Sequence, residues 1–242
     1  MAYQAVFERY ELKYMLTAEQ KAYVLEAIKP YMALDQYGRD TIRNIYYDTD
    51  NYRLIRRSIE KPAYKEKLRI RSYKRVSSES PVFVELKKKY KSVVYKRRLV
   101  MPEREAMEWM ETKSHKERGT QISNEIEYFL EYYETLHPRV FLSYEREAYY
   151  ALDGSEFRVT FDENILCREE ELSLVADVYG TPLLDEGQCL MEIKCSGGIP
   201  MWMTEILSKE KLYTTSFSKY GTYYMNYIFP RLIQEGIYGN NI

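Results

Sequence analysis

From Val6 to Met15 the chain alternates, with Arg9, Glu11 and Lys13 on one side and Tyr10, Leu12 and Tyr14 on the other. A period of two predicts a strand with one strongly charged face. A helix is expected over Thr17 to Ala27, N-capped by Thr17 and stopped before Pro30. Thr41 to Asp48 reads as a β-branched and aromatic strand running into the turn residues Asp48-Thr49-Asp50-Asn51. Three antiparallel strands follow, divided by turns at Ser77-Ser78-Glu79-Ser80-Pro81 and Lys91-Ser92. In Tyr64 to Lys74 one face holds Lys65, Lys67, Arg69, Arg71 and Tyr73. In Pro81 to Tyr90 it holds Phe83, Glu85, Lys87 and Lys89, and in Ser92 to Met101 it holds Lys96 and Arg98.

Pro102 to Lys113 and about Ile122 to Leu136 carry apolar residues at helical spacing among many Glu. Strands then resume. Arg139 to Leu152 puts Tyr144 and Arg146 on one face; Arg158, Thr160 and Asp162 alternate with Phe157, Val159 and Phe161. Gln188, Leu190, Glu192 and Lys194 alternate with Cys189, Met191 and Ile193. A helix is expected from Pro200 to about Lys209, and a last one from Thr222 to about Glu235. The fold class is therefore α+β, with roughly eight amphipathic antiparallel strands.

An antiparallel sheet with a solvated polar face is the ordinary explanation of such strands. Charge changes that picture. Residues 61–98 hold 14 Lys/Arg against 3 Asp/Glu, although the whole chain carries a net charge of only −1. Like charges side by side on a sheet repel, and they are easier to explain around a polyanion. A closed sheet with its apolar face outward, covered by helices, would wrap the cationic faces into a basic tunnel. The negative charge would then lie mostly outside: residues 153–192 hold 11 Asp/Glu against 2 Lys/Arg. Asp162 is expected to tie Arg158 or a turn. Of the 26 tyrosines, most are expected to serve as strand formers with a hydroxyl at the rim; Tyr73 and Tyr144 stand on charged faces, where a bound anion could touch them.

At 242 residues and 45% apolar content, one domain spanning 1–242 with a sizeable core is expected. The near-zero net charge argues against a nucleic-acid coat, and a tunnel would not admit a duplex. No signal peptide and no apolar run near the ~20 residues of a membrane helix is visible. Any membrane step would need a separate membrane partner. Three cysteines suit a reducing compartment, so a cytoplasmic protein is expected. Two histidines, His115 and His137, make zinc chemistry and a histidine triad poor fits. No Gly-rich phosphate loop occurs, so phosphate chemistry must rest on side chains.

The order of motifs resembles the VTC (vacuolar transporter chaperone) domain of polyphosphate polymerases, within the CYTH/triphosphate tunnel metalloenzyme superfamily. The resemblance is carried by Phe7-Glu8-Arg9-Tyr10-Glu11-Leu12-Lys13-Tyr14, Ile45-Tyr46-Tyr47-Asp48-Thr49, Leu68-Arg69-Ile70-Arg71-Ser72-Tyr73 and Val84-Glu85-Leu86-Lys87. It continues through Tyr144-Glu145-Arg146-Glu147-Ala148-Tyr149, Phe157-Arg158-Val159-Thr160-Phe161-Asp162, Met191-Glu192-Ile193-Lys194 and Phe217-Ser218-Lys219-Tyr220, spanning about residues 5–225.

The resemblance implies an antiparallel eight-stranded closed β-tunnel with helices packed outside. It also implies transfer of the ATP γ-phosphate to a growing polyphosphate chain, with Mn²⁺ or Mg²⁺ as cofactor. By motif, Lys13, Arg69, Arg71, Lys87, Lys96, Arg146, Arg158 and Lys219 would bind phosphate, and Lys194 would reach the same lumen. Glu192 would hold the metal, with Glu11 and, as a further candidate, Glu85. Lys13, Arg69, Arg71 and Glu192 are the expected catalytic set. Arg9 replaces the first Glu of the superfamily's Glu-x-Glu-x-Lys signature, which leans away from the hydrolytic triphosphatases. Ser216 replaces the first of two lysines expected three residues apart, which removes one phosphate contact. Two alternatives stay open: a tunnel triphosphatase, and a non-catalytic module that binds polyphosphate or nucleotide.

Overall fold

The computed structural model describes residues 6–7, 10–91, 93–113 and 119–237. Arg9, Ser92 and His115 lie outside the described residues. The strands are β1 (Val6–Phe7), β2 (Tyr10–Leu16), β3 (Met32–Asp48), β4 (Tyr64–Tyr73), β5 (Pro81–Tyr90), β6 (Val93–Pro102), β7 (His137–Ala151), β8 (Arg158–Arg168), β9 (Thr181–Pro182) and β10 (Cys189–Cys195). The helices are α1 (Ala18–Ile28), α2 (Arg53–Ile59), α3 (Glu103–Thr112), α4 (Gln121–Tyr132), α5 (Met201–Lys209), α6 (Lys219–Tyr223) and α7 (Phe229–Gln234). Eight strands have seven residues or more, as the alternation predicts; β1 and β9 have two each.

All pairings are antiparallel, in the order β1-β6-β5-β4-β3-β7-β8-β10-β2, with β9 added beside β8. The two ends of this order, β1 and β2, are separated by only two residues in the chain. Successive Cα atoms are about 3.8 Å apart, so the sheet's ends must come together. The expected closed tunnel is thus closed by chain continuity, and no ladder of hydrogen bonds joins β1 to β2 among the described residues. Contacts across the lumen confirm the curl. Lys87 on β5 lies 3.2 Å from Glu11 on β2, although these strands stand far apart in the order.

The outward faces are apolar and helix-covered. Leu68, Ile70, Val82, Val84 and Leu86 pack under Trp109 and Met110 of α3 and Ile126, Phe129 and Leu130 of α4. Val159, Phe161, Met191 and Ile193 pack under Val24 and Ile28 of α1 and Met203, Ile206 and Leu207 of α5. Thr17 caps α1 as expected, in a capping box with Gln20.

Three features were not legible in the chain's pattern. β3 begins nine residues before Thr41, with a register shift between Leu34 and Arg39. Gly38 there adopts φ +62, the left-handed backbone that glycine takes without penalty. α2 is short and follows β3 directly. The expected last helix is broken by a π-helical turn over Tyr224–Ile228, just before Pro230. Proline supplies no N–H and crowds the carbonyl four residues back, and the widened turn accommodates it.

Candidate functional site

The strand registers stack charged side chains into rows inside the tunnel. One row runs Arg69–Glu85–Arg98 across β4, β5 and β6. The next runs Lys67–Lys87–Lys96, three ammonium groups on adjacent strands. Beyond it Lys65 stands opposite Lys89. Across the lumen, β2, β10, β8 and β7 supply Lys13, Glu192, Lys194, Asp162 and Arg146, and α6 brings in Lys219.

Three carboxylates organise these cations. Glu85, 1% exposed, accepts from Arg69 Nε at 2.8 Å and Arg98 Nε at 2.7 Å and lies 2.8 Å from Lys96 Nζ. Burial would raise its pKa; Arg69, Arg71, Lys96 and Arg98 overcome that and hold it far below the carboxylate range. Asp162, wholly buried, accepts from Arg146 Nε at 2.5 Å and Nη2 at 2.6 Å and from Lys219 Nζ at 2.5 Å. The expected partner Arg158 is not among these. It lies at the rim, half exposed, with Nη2 3.6 Å from Asp35. Glu192 lies 3.1 Å from Lys194, 3.5 Å from Lys13 and Arg146, and 3.6 Å from Lys219. Burial opposes its ionisation, yet those four cations depress its pKa strongly.

One end of the lumen is filled rather than open. Tyr46, Val140, Leu142, Ile165 and Leu190 pack there against Tyr52 and Ile55, on and beside α2, and Tyr220, Tyr223 and Tyr224 of α6 and the π turn. Asp48 explains how the sequence builds this end. Its carboxylate accepts from the backbone N–H of Thr49 at 2.8 Å, Leu54 at 2.9 Å and Ile55 at 2.9 Å, tying β3 to the start of α2. It also takes the Tyr220 hydroxyl at 3.1 Å, which docks α6. Docking α6 is what places Lys219 beside Asp162.

The structure therefore brings Lys13, Arg69, Arg71, Lys87, Lys96, Arg146, Lys194 and Lys219 to one lumen and leaves Arg158 at its rim. Tyr144 is buried and accepts from Arg71 Nη2 at 3.0 Å, whereas Tyr73 is 43% exposed. Ser216 is exposed; the segment after it is held by Lys13, whose Nζ donates to Phe217 O at 2.8 Å. Lumen groups outside the motif-based set include Lys65, Lys67, Lys89, Arg98 and Tyr46. The period-two pattern carried the signal for Lys67 and Arg98, since each shares its face with assigned residues. Only the fold could show that Tyr46 meets Arg69.

As for a metal, no cluster of three His, Cys, Asp or Glu occurs among the described residues. Glu85 and Asp162 are saturated by cations. Glu192 and Glu11 are paired more loosely, with their cations at 3.1 Å or beyond; they stand on paired strands β10 and β2, Glu11 two residues from the Lys13 that Glu192 faces. This donor set fits a hard cation only if phosphate oxygens complete its shell.

Lys67 has no carboxylate partner among the described residues; its Nζ sits 3.4 Å from Ser218 Oγ. Burial, with Lys13, Lys65 and Lys87 nearby, pushes its ammonium down to about 8. Burial likewise takes Lys96 to about 8 against the pull of Glu85. Both groups lose their protons as pH rises through 8, and a bound anion would restore them. Affinity for triphosphate is thus expected to fall about ten-fold or more between about pH 7 and 9. Titration calorimetry across that range checks this; a flat profile contradicts it.

An antiparallel sheet curled around stacked lysines and arginines, with helices on its outer face, forms a basic tunnel suited to an anion. The sequence matches the VTC domain over residues 8–226, and the chain belongs to that family. Among solved structures it is similar to a candidate adenylate cyclase from Bacillus halodurans, with 15% identity and a TM-score of 0.54 over 89% of this chain and 96% of that one. It is also similar to a candidate adenylyl cyclase from Hippeastrum, described as having a dominant triphosphatase activity. There the identity is 16% and the TM-score 0.54, over 89% of this chain and 94% of that one. At such identities the likeness is one of fold. A search of curated proteins returns no match. No helix among the described residues is long and apolar enough to cross a membrane.

Proposed function

We propose that this protein is a metal-dependent polyphosphate polymerase that transfers the γ-phosphate of ATP to a polyphosphate chain held in the tunnel. The observation that carries the reading is the Lys67–Lys87–Lys96 row. Like charges directly opposite one another on a sheet destabilise it. A chain of phosphates, with one negative charge or more per unit, removes that repulsion along the whole row.

Phosphoryl transfer needs alignment and charge neutralisation more than covalent help. A terminal phosphate oxygen of the chain would attack the γ-phosphorus of ATP while the β–γ bridging bond breaks, its electron pair leaving with ADP. Arg69, Arg71 and Arg146 each already donate to a lumen acceptor and keep further guanidinium N–H groups for phosphate oxygens, while the lysines supply point charges. Burial strengthens each contact. Mn²⁺ or Mg²⁺, held by Glu192 with Glu11 nearby, would neutralise charge on the phosphates. The saturation of Glu85 and Asp162 supports a single-metal transferase over a carboxylate-rich two-metal hydrolase. Three free, buried cysteines suit a reducing compartment such as the cytoplasm.

The test is to incubate the pure protein with ATP and Mn²⁺ and resolve the products. Long phosphate chains and ADP are expected. Orthophosphate alone would overturn the reading in favour of a tunnel triphosphatase. Chain binding without turnover would leave a binding module, to which the exposed Ser216 lends weight.

A further inference from the structure

Tyr46 holds a proton that the protein does not use. It stands on β3 as the cross-strand neighbour of Arg69 and is 8% exposed. Arg69 Nη1 donates to its hydroxyl oxygen at 2.8 Å, so the phenol is the acceptor in that bond. The same guanidinium lies 5.7 Å from the ring centroid, and the Tyr220 ring of α6 packs 5.2 Å away. The phenol is thus fixed with its oxygen at the cationic lumen.

The charged groups that act most on Tyr46 are Arg69, Lys67 and Arg71, all on β4; behind them, Glu85 on β5 is held by Arg69, and Asp48 is held by the Tyr220 that packs on the ring. Guanidinium and ammonium groups donate and cannot accept. Tyr220, on α6, spends its own proton on Asp48 at 3.1 Å. Tyr144, on β7, accepts from Arg71. No group among the described residues accepts the Tyr46 proton. A buried donor without an acceptor is costly, because its bond to water is lost and not replaced. Two remedies exist: the phenol ionises, or an anionic ligand takes the bond.

We infer that the Tyr46 hydroxyl donates a hydrogen bond to an oxygen of the bound phosphate chain, with Arg69 orienting it. The inference deepens the proposed function and rests on that reading of the tunnel. Without ligand the first remedy operates in part: burial would raise the phenol, but Arg69, Lys67 and Arg71 bring it down to about 8. Phosphate arriving at pH 8 then meets a partly ionised phenol; the ionised fraction takes up a proton from solvent, which forms its O–H bond. The phenol keeps that proton and shares it in a hydrogen bond to the ligand oxygen, so no group is transferred to the ligand.

The test compares wild type with Tyr46→Phe, which keeps the ring and its packing on Tyr220. Inorganic triphosphate is titrated without metal, and the tyrosinate absorbance band is followed between about pH 7 and 9. Wild type is expected to show a tyrosinate signal that triphosphate suppresses. Tyr46→Phe should lack that signal and bind about 10- to 100-fold more weakly at pH 7. Binding by both proteins within about two-fold would overturn the inference and leave the tunnel reading intact. So would a wild-type tyrosinate signal that triphosphate does not change. Failure of wild type to bind triphosphate at all would overturn both. The wild-type titration stands even if the variant does not fold.

Discussion

Glu85→Ala is expected to destabilise the protein by about 3–5 kcal/mol, and inorganic triphosphate is expected to restore much of the loss. The buried carboxylate lies within hydrogen-bonding distance of Arg69, Arg98 and Lys96, and Arg71 stands 3.9 Å away. Removing it leaves those cations inside a tunnel with nothing to neutralise them. A phosphate chain supplies charge of the same sign in the same place. Thermal melting with and without triphosphate measures both effects. The ligand-induced rise in melting temperature should be larger for the variant than for wild type. An unchanged melting temperature, or an equal ligand effect, would show that Glu85 is not the internal counter-charge. Lowering the pH should not mimic the substitution in the ordinary carboxylate range, because the cations keep Glu85 ionised well below it.

Glu192→Gln should separate the metal role of this residue from a purely ionic one. Chain growth from ATP with Mn²⁺ is expected to fall about 100- to 1000-fold if Glu192 holds the metal against the phosphates. Metal-free binding of triphosphate should move the other way. Glu192 neutralises part of Lys13, Arg146, Lys194 and Lys219. Taking its charge away, in an isosteric side chain, should tighten metal-free anion binding about ten-fold. Unchanged synthesis would reduce Glu192 to an ion-pair partner. Weaker metal-free binding would contradict the sign of its local field. Opposite changes in the two measurements are the signature that a simple loss of folding cannot produce.

The two substitutions illustrate where sequence and structure part. That Glu85 and Glu192 face the cations follows from alternation alone, because side chains on a strand change sides at every residue. Which cations each one meets does not follow. Asp162 shares its face with Arg158 four residues away, and that pairing is the natural expectation from spacing. The β7–β8 register instead sets Arg146 opposite Asp162, and α6 delivers Lys219 from 57 residues further on. Arg158 is left at the rim with Asp35.

The expected separation of charge is met on the acidic side only. Asp153, Glu156, Glu170, Glu171, Asp177, Asp185 and Glu186 are exposed, as expected. The basic residues are divided: those of the inward strand faces line the lumen, while Arg53, Arg56, Arg57, Lys61, Lys74, Arg75, Lys91, Arg104, Lys209 and Lys211 are exposed.

By itself, then, the sequence determined the α+β class, the amphipathic strands, the apolar faces that helices would cover, and the membership of one cationic set. These are local properties, set by a period of two or of 3.6 along the chain. Only the tertiary structure decided the register that aligns three lysines in a row, the plug that Asp48 and Tyr220 hold in one end, and the meeting of Tyr46 with Arg69. Those depend on residues far apart in sequence, whose contacts are fixed by strand pairing and by the closure of the sheet.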